Sequence, residues 1–418
     1  MIFKIAKILI FFIFYSGLSQ AQVKITSYNL LNYPGTDTTI RNPYFRTVIS
    51  SINPDILVVQ EITSQVGING FLNGVMNYNG NFYSSGLFID GPDTDNEIFY
   101  RTSLFIFISN TPIHTDLRDI NEFKLVHIST HDTIRIYSVH LKASEGTANE
   151  LSRAAEVDSL RKVTNALHYN SYFIVCGDFN IYSSTEPAYQ KLLEVTIGND
   201  GNFNDPLTMT GIWNNSSYAH YHTQSSRVRS FGGGSTGGLD DRFDLMLYSN
   251  AIKNPGGITY VANSLTPYGN DGNHYNDSIN KPPNGVVSQI IANAIHYSSD
   301  HIPVYSLFTF SLVSVNLINS NVPPAIKLYQ NYPNPLNPAT NIKFDIINPP
   351  STKGGQGGLV TLKIFDVLGK EITTLINENL NAGSYSIDWN AYQYPSGIYF
   401  YRLQADNFTD TKRMLLVK

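Results

Sequence analysis

The stretch Tyr172-Phe173-Ile174-Val175-Cys176-Gly177-Asp178-Phe179-Asn180 constrains this chain more than any other. An unbroken apolar run, rich in aromatic and β-branched residues, predicts a short strand buried on both faces. The run stops at a glycine, then presents an aspartate and, two residues on, an asparagine on the same side of the strand. The end of a rigid central strand is where an α/β scaffold holds polar groups at fixed spacing over a cleft. Taken alone, Gly177-Asp178-Phe179-Asn180 reads as a strand that ends in an Asx turn.

A chain of 418 residues is long enough for two or three domains with a large core. Its formal net charge of -5 offers no global basic field for nucleic acid. That weighs against a binding module built on lysine and arginine. It leaves room for an enzyme whose bound cations offset phosphate charge. At the start, Lys4 and Lys7 precede the apolar run Ile8 to Phe14 and then Gly17-Leu18-Ser19-Gln20-Ala21. Residues 1–21 are therefore read as a secretory signal cut after Ala21. The run is short of the about 20 apolar residues a membrane span needs, and no later segment reaches that length. The mature protein is expected to have no integral membrane segment. Cys176, the only cysteine, lies in the buried strand, so an exported chain has no internal disulfide.

Residues 22–310 alternate strands with a few helices. Strands are predicted over 23–30, 55–60, 98–108, 134–140, the run before Asp178, 243–248 and 303–310. A helix over 41–52 ends at Asn53-Pro54. Leu151, Ala154, Val157, Leu160, Val163 and Leu167 recur at helical spacing, so 148–168 is an amphipathic helix packed on a sheet. A further helix is predicted over 185–194. Long polar and glycine-rich loops follow, the usual material of functional rims. Residues 311–325, with Val322-Pro323-Pro324, read as a linker. Residues 326–418 have dense turn signals and short alternating strands, clearest at 359–365, 383–389 and 398–404. They predict a small all-β Ig-like sandwich. Its insert at 348–358 is rich in Pro, Gly and Ser and reads as mobile.

Polar residues recur at strand ends in a fixed order. Ser27-Tyr28-Asn29 closes the first strand and Val58-Val59-Gln60-Glu61 the second. Tyr137-Ser138-Val139-His140 runs into Leu141-Lys142, and Gly177-Asp178-Phe179-Asn180 comes next. Asp241-Arg242-Phe243-Asp244 and Ser299-Asp300-His301-Ile302-Pro303 complete the series. Any one of these is weak; Glu61 alone is a surface residue and His140 or His301 alone a structural histidine. Their ordered recurrence points to one assembled site. Together they resemble the endonuclease/exonuclease/phosphatase (DNase I-like) superfamily over about Val23 to Phe310. The resemblance implies an α/β fold, a four-layer α/β/β/α sandwich with the site at one edge of its two sheets.

The residue types suit phosphodiester hydrolysis, which needs charge neutralised on phosphate oxygens, a positioned water and help for the leaving oxygen. Hard oxygen ligands such as Glu61, Asn29 and Asp300 suit Mg²⁺, with Mn²⁺ as an alternative. By resemblance Glu61 is the principal metal ligand, supported by Asn29 and Asp300. Asp178 would orient or deprotonate the attacking water and Asn180 would hold it or the phosphate. His301 would sit on the phosphate, oriented by Asp244. His140 is the second imidazole, and the division of acid and base roles between the two histidines stays open. Lys142, Arg227 and Arg229 are further candidates for phosphate contact. DNase I-like members pair the counterpart of His140 with a glutamate shortly before the strand at Ile98. Here that neighbourhood is Asp93-Thr94-Asp95-Asn96-Glu97, and no residue aligns as the partner. The loop Asn270 to Asp277 reads first as a solvated turn, and is rich enough in oxygen ligands for a structural Ca²⁺ as the alternative.

The C-terminal segment carries Tyr329-Gln330-Asn331-Tyr332-Pro333-Asn334-Pro335-Leu336-Asn337-Pro338, Ile364-Phe365-Asp366-Val367-Leu368-Gly369-Lys370 and Pro395-Ser396-Gly397-Ile398-Tyr399-Phe400. It ends in Lys412-Arg413-Met414-Leu415-Leu416-Val417-Lys418. These motifs resemble the type A sorting domain of the type IX secretion system. A carbohydrate-binding Ig-like module is the alternative. The resemblance implies Sec export, type IX passage and a secreted or cell-surface location, with the secretion machinery as partner. The expected protein is a monomeric, secreted, Mg²⁺-dependent phosphodiesterase, a nuclease acting on DNA or RNA. A phospholipid phosphodiesterase or a phosphatase on the same scaffold is the alternative; the aromatic-rich region from Phe71 to Phe88 keeps the lipid reading open.

Overall fold

The protein is described by a computed structural model covering residues 22–167, 171–253, 257–310, 316–319, 323, 325–347, 358–391, 394–405 and 407–418. The signal segment 1–21 and nearly all of the 348–358 insert lie outside the described residues. In chain order the first part comprises β1 (Gln22–Tyr33), α1 (Thr38–Ile52), β2 (Ile56–Ile62), α2 (Gln65–Phe71), β3 (Tyr83–Ser85) and β4 (Asp95–Arg101). Next come β5 (Phe105–Ile113), β6 (Ile120–His127), β7 (Thr133–His140), α3 (Thr147–Asn165), β8 (Phe173–Asp178) and α4 (Pro187–Leu193). Then β9 (Phe203–Asn204), β10 (Asp244–Ser249), α5 (Asn250–Lys253), β11 (Ile258–Tyr260), β12 (Thr266–Pro267), α6 (Gln289–Ser298) and β13 (Val304–Phe310).

These strands form two sheets. One is ordered β11-β13-β1-β2-β4-β3 with β12 beside β13, the other β5-β6-β7-β8-β10-β9. Each contains one parallel pair, β1 with β2 and β7 with β8, joined by the crossover helices α1 and α3. Strand alternation sorts the apolar residues into three layers. Ile25, Val58, Ile98, Ile136, Ile174, Cys176 and Met246 fill the space between the sheets. Tyr28, Leu57, Val59 and Phe99 turn outward to meet Phe45, Val48 and Ile295 of α1 and α6. Tyr137, Val139, Val175 and Leu247 turn the other way to meet Ala154, Val157 and Leu160 of α3. The result is the four-layer α/β/β/α sandwich expected from the sequence. Among the described residues no helix is long and apolar enough to cross a membrane.

Gly177 shows why β8 carries a glycine before its polar end. It has φ +138°, and a Cβ there would lie 2.0 Å from the Val139 carbonyl oxygen of β7. One element departs from expectation. The apolar run 98–108 is two strands, because Thr102 to Leu104 form a turn that passes the chain from one sheet to the other. The polar break Arg101-Thr102-Ser103 falls at that turn, between two apolar stretches that otherwise read as one strand.

The C-terminal part comprises β14 (Asn316–Asn319), β15 (Lys327–Leu328), β16 (Ala339–Ile346), β17 (Gly358–Phe365), β18 (Glu371–Leu380), β19 (Gly383–Asn390), β20 (Gly397–Ala405) and β21 (Phe408–Leu416). They make two four-stranded sheets, β14-β19-β16-β15 and β18-β17-β20-β21. Ile342, Phe344, Ile364, Leu362, Trp389, Tyr401 and Leu403 form their common core. Strand β14 falls inside the segment 311–325 read as a linker, and it pairs with β19 from Asn316↔Ser386 onward.

Candidate active site

Four inward-facing rows change from apolar to polar at the same edge of the sandwich. On β1 the row is Val23, Ile25, Ser27, Asn29; on β7 it is Ile134, Ile136, Ser138, His140. On β8 it is Ile174, Cys176, Asp178, and β10 begins its row with Asp244 before Met246. Register completes the alignment, since His140 lies opposite Asp178 and Asp178 opposite Asp244. Glu61 follows a different rule. Val59 and Leu57, two and four residues before it, face the outer helices. The register breaks between Val59 and Ile62, and Glu61 takes a left-handed φ of 58°. That irregularity re-aims its carboxylate inward, the usual effect of a bulge at a sheet edge.

The side chains then meet. Asn29 Nδ2 donates to Glu61 Oε1 at 2.9 Å and to Asp178 Oδ2 at 3.2 Å, so one amide bridges two carboxylates. The backbone N–H of Asn32 donates to Glu61 Oε2 at 2.9 Å. His140 Nε2 lies 3.8 Å from Glu61 Oε1 and 3.7 Å from Asp178 Oδ2. On the other flank, His301 Nε2 is 3.4 Å from Asp178 Oδ2 while its Nδ1 is 2.7 Å from Asp244 Oδ2. Gln224 closes the ring with its amide 2.6 Å from His301 Nε2. Asn180 N–H donates to Asp178 Oδ1 at 3.1 Å, the Asx turn expected from the tetrapeptide.

The two imidazoles are held in opposite protonation states. Burial, then Arg118 and His301, push His140 well below its ordinary value, so it is neutral. Burial alone would depress His301 as well, but the Asp244 and Asp178 carboxylates outweigh it and hold the ring protonated. Burial lifts Asp178 to about 7, with Asp244 and Glu61 adding to it and His301 opposing. Glu61 is raised by burial, partly offset by the Asn29 hydrogen bond. Two crowded, buried carboxylates beside a neutral imidazole form a set that favours a cation. Indeed one ligand atom from each of Glu61, His140 and Asp178 lies within 4.8 Å of the others. Oxygen donors with one nitrogen fit a hard or borderline divalent ion.

Beneath this edge runs a buried polar ladder. Ser27 Oγ donates to Gln60 Oε1 at 3.4 Å, and Gln60 Nε2 to Ser138 Oγ at 3.0 Å. Ser138 Oγ donates to Asn96 Oδ1 at 3.0 Å, and Asn96 Nδ2 to Asn121 Oδ1 at 2.9 Å. Ser27 and Ser138 sit two residues before Asn29 and His140, so the ladder is the floor of the site. Asn96→Ala leaves Ser138 and Asn121 short of partners, and we expect a loss of about 1–3 kcal/mol for each orphaned group. A lowered Tm in thermal denaturation is the check; an unchanged Tm would show that the ladder is not required.

Several sequence-predicted residues are held by further contacts. Asn29 does not present a free oxygen, because its Oδ1 accepts the Leu31 N–H at 2.9 Å. Asp300 is buried next to the site with Oδ2 accepting the Ser235 N–H at 2.6 Å. Lys142 Nζ donates to the Ala143 carbonyl at 2.9 Å. Arg227, expected on an exposed rim, is fully buried and donates from Nη1 to the Phe231 carbonyl. Its burial is not visible in a polar loop sequence. Arg229 is exposed. The expected Ca²⁺ loop has its acids already satisfied: Asp271 accepts from Asn273 N, Gly285 N and His274, and Asp277 from Ser278 N and Lys281. No carboxylate takes the expected place beside His140, whose buried Nδ1 has no hydrogen-bond partner among the described residues. Gln224, Asn96 and Arg118 were not among the expected site residues; each is a polar residue in an unremarkable local pattern.

Residues 330–418 match the family model described as a secretion system C-terminal sorting domain. No curated protein matches the chain. Among solved structures, zebrafish (D. rerio) TDP2 complexed with a single-strand DNA product is similar at 14% identity and TM-score 0.48, over 69% of this chain and 99% of that one. An endonuclease/exonuclease/phosphatase from Bacteroides vulgatus is similar at 12% identity and TM-score 0.46, over 70% and 100%. The human nocturnin catalytic domain with bound sulfate is similar at 17% identity and TM-score 0.42, over 69% and 95%.

Proposed function

We propose that this chain is a secreted, divalent-metal-dependent phosphodiesterase that hydrolyses nucleic acid. The observation that carries the reading is the meeting of Glu61, His140 and Asp178 within 4.8 Å, flanked by the His301–Asp244 pair. In this reading Glu61, Asp178 and His140 hold the ion, with the Asp300 carboxylate on the metal side near Glu61 and Mg²⁺ as the ion's identity. A bound divalent ion would supply Lewis-acid charge neutralisation at a phosphoryl oxygen. Asp178, within reach of both imidazoles, is placed to accept a proton from water. Asn29 keeps Asp178 and Glu61 apart yet oriented by donating to both. His301, charged and aimed by Asp244, offers Nε2–H to a phosphoryl oxygen once Gln224 yields that position. His140, neutral, turns its Nε2 lone pair toward Glu61 and Asp178 as the nitrogen ligand of the ion.

A single fixed imidazolium beside one metal group matches the one negative charge of a phosphodiester. A multiply charged phosphate monoester calls for a denser basic pocket. Exposed Tyr78, Phe82 and Leu87 favour a second reading, in which the diester belongs to a phospholipid reached through an apolar contact. The sorting-domain match supports type IX export, with residues 1–21 as the Sec signal and the C-terminal sandwich as the part read by the machinery. The test is a substrate panel with the full chain: plasmid DNA, RNA, sphingomyelin and inositol phosphates, each with Mg²⁺ and with chelator. We expect cleavage of DNA or RNA in Mg²⁺ and none in chelator. Turnover of lipid without nucleic-acid cleavage would replace the nuclease reading by the second one.

A further inference from the structure

The glycine run 232–234 belongs to an exposed loop, yet it packs against two acids, the buried Asp300 and the half-buried Asp37. Gly234 has φ +78°, and a Cβ there would lie 2.7 Å from Asp300 Cγ and 2.9 Å from Leu31 Cδ1. Gly232, at φ +66°, would bring a Cβ to 2.4 Å from Asp37 Oδ2. The next residue, Ser235, donates its backbone N–H to Asp300 Oδ2 at 2.6 Å. Both ends of the run are tied down. Arg227 Nη1 donates to the Phe231 carbonyl, and the Phe231 ring meets Tyr297 edge-on at 5.1 Å. Ser225 Oγ donates to the Ser235 carbonyl at 2.8 Å. Arg227 is thus a buried strut under the loop.

Asp300 itself is 4% exposed and lies close enough to Glu61 for its charge to act there. A metal-side carboxylate with one oxygen fixed by a backbone amide is the arrangement that orients ligands in metal sites. We infer that residues 231–235 form a strap that positions Asp300 for metal binding, with Ser235 N–H as the contact and Gly234 as the residue that permits the approach. This inference rests on the reading of Asp300 as a carboxylate of the metal side.

Gly233 supplies an internal control. It has φ +90°, and a Cβ there would meet nothing within 4 Å. Alanine at 233 or 234 meets the same left-handed backbone penalty, and only position 234 also presses on Asp300. The experiment is calorimetric titration of the full chain with Mn²⁺, alongside Asp300→Asn, Gly234→Ala, Gly233→Ala and Ser235→Pro, with circular dichroism to confirm folding. Ser235→Pro removes the amide donor without adding a Cβ beside Asp300, and keeps the test open if Gly234→Ala does not fold. We expect Asp300→Asn, Gly234→Ala and Ser235→Pro to weaken Mn²⁺ binding by about tenfold or more, and Gly233→Ala to stay within about twofold of the parent. Weakening by Asp300→Asn alone, with the folded strap variants binding like the parent, would overturn the strap. Unchanged binding in Asp300→Asn would overturn the metal-side reading of Asp300 and the strap with it.

Discussion

Replacing Asp178 by asparagine is expected to lower kcat for phosphodiester hydrolysis by about a thousandfold, while Tm holds or rises. The exchange is nearly isosteric, and Oδ1 can go on accepting the Asn180 N–H. What changes is Oδ2, which now accepts from Asn29 and lies 3.4 Å from His301 Nε2. An amide NH₂ in its place faces those donors with more donors and can neither accept a proton from water nor neutralise a cation. General-base contributions of about 10²–10⁴ set the scale of the kinetic loss. Stability should move the other way, because burying this carboxylate is costly. The sign follows from Asp178 being raised from an ordinary 3.8 to about 7 in the folded chain. The folded state holds that proton over a range where the unfolded state has lost it. In chelator, the stability Asp178 contributes is therefore greatest below about pH 4 and declines as pH rises toward 7. The asparagine variant lacks that decline. Kinetics at saturating substrate and melts across this pH range check both halves.

Asp244→Asn should be the next largest effect, a loss of about 10²–10³ in kcat/KM. Asp244 is buried, 2.7 Å from His301 Nδ1, and is the main carboxylate holding that ring protonated against burial. Without its charge, desolvation is opposed chiefly by Asp178, and His301 shifts toward the neutral imidazole. A neutral ring that keeps its one proton on Nδ1, facing position 244, has none on Nε2 to offer a phosphoryl oxygen. The discriminating readout is the histidine NMR signal: protonated at neutral pH in the parent, displaced toward neutral in the variant. An activity loss with an unchanged His301 signal would mean that Asp244 acts only through packing.

Much of this arrangement was legible in the chain because strands alternate. Asn29, His140, Asp178 and Asp244 each continue or begin an inward row whose deeper members are apolar, so period two and a common edge assemble them. Glu61 breaks that rule, since its inward aim depends on a left-handed backbone that no local pattern announces. The polar ladder escaped notice for a related reason. Gln60, Ser138, Asn96 and Asn121 come from four strands of two sheets, and only their packing shows that they are one network. The 98–108 run changes sheet at a polar break of only three residues, Arg101-Thr102-Ser103, too short to stand out between its apolar halves. Arg227 and the glycine run looked like solvated rim, whereas long-range burial turns one into a strut and the other into a close contact on Asp300. At the C-terminus, strand spacing marked the sandwich, but the brief pairing of β14 within 311–325 lay below what spacing resolves.

The central claim is that this edge hydrolyses phosphodiesters with a divalent ion held by Glu61, His140 and Asp178. The most direct measurement is turnover of a chromogenic bis-aryl phosphodiester by the full chain, titrated with Mg²⁺ and then stripped with chelator, beside Glu61→Gln. The account predicts hydrolysis that appears with Mg²⁺, vanishes on chelation, returns on adding the metal back, and needs far more metal in Glu61→Gln. Full turnover in chelator, or a Glu61→Gln variant with the parent's metal response, would contradict it.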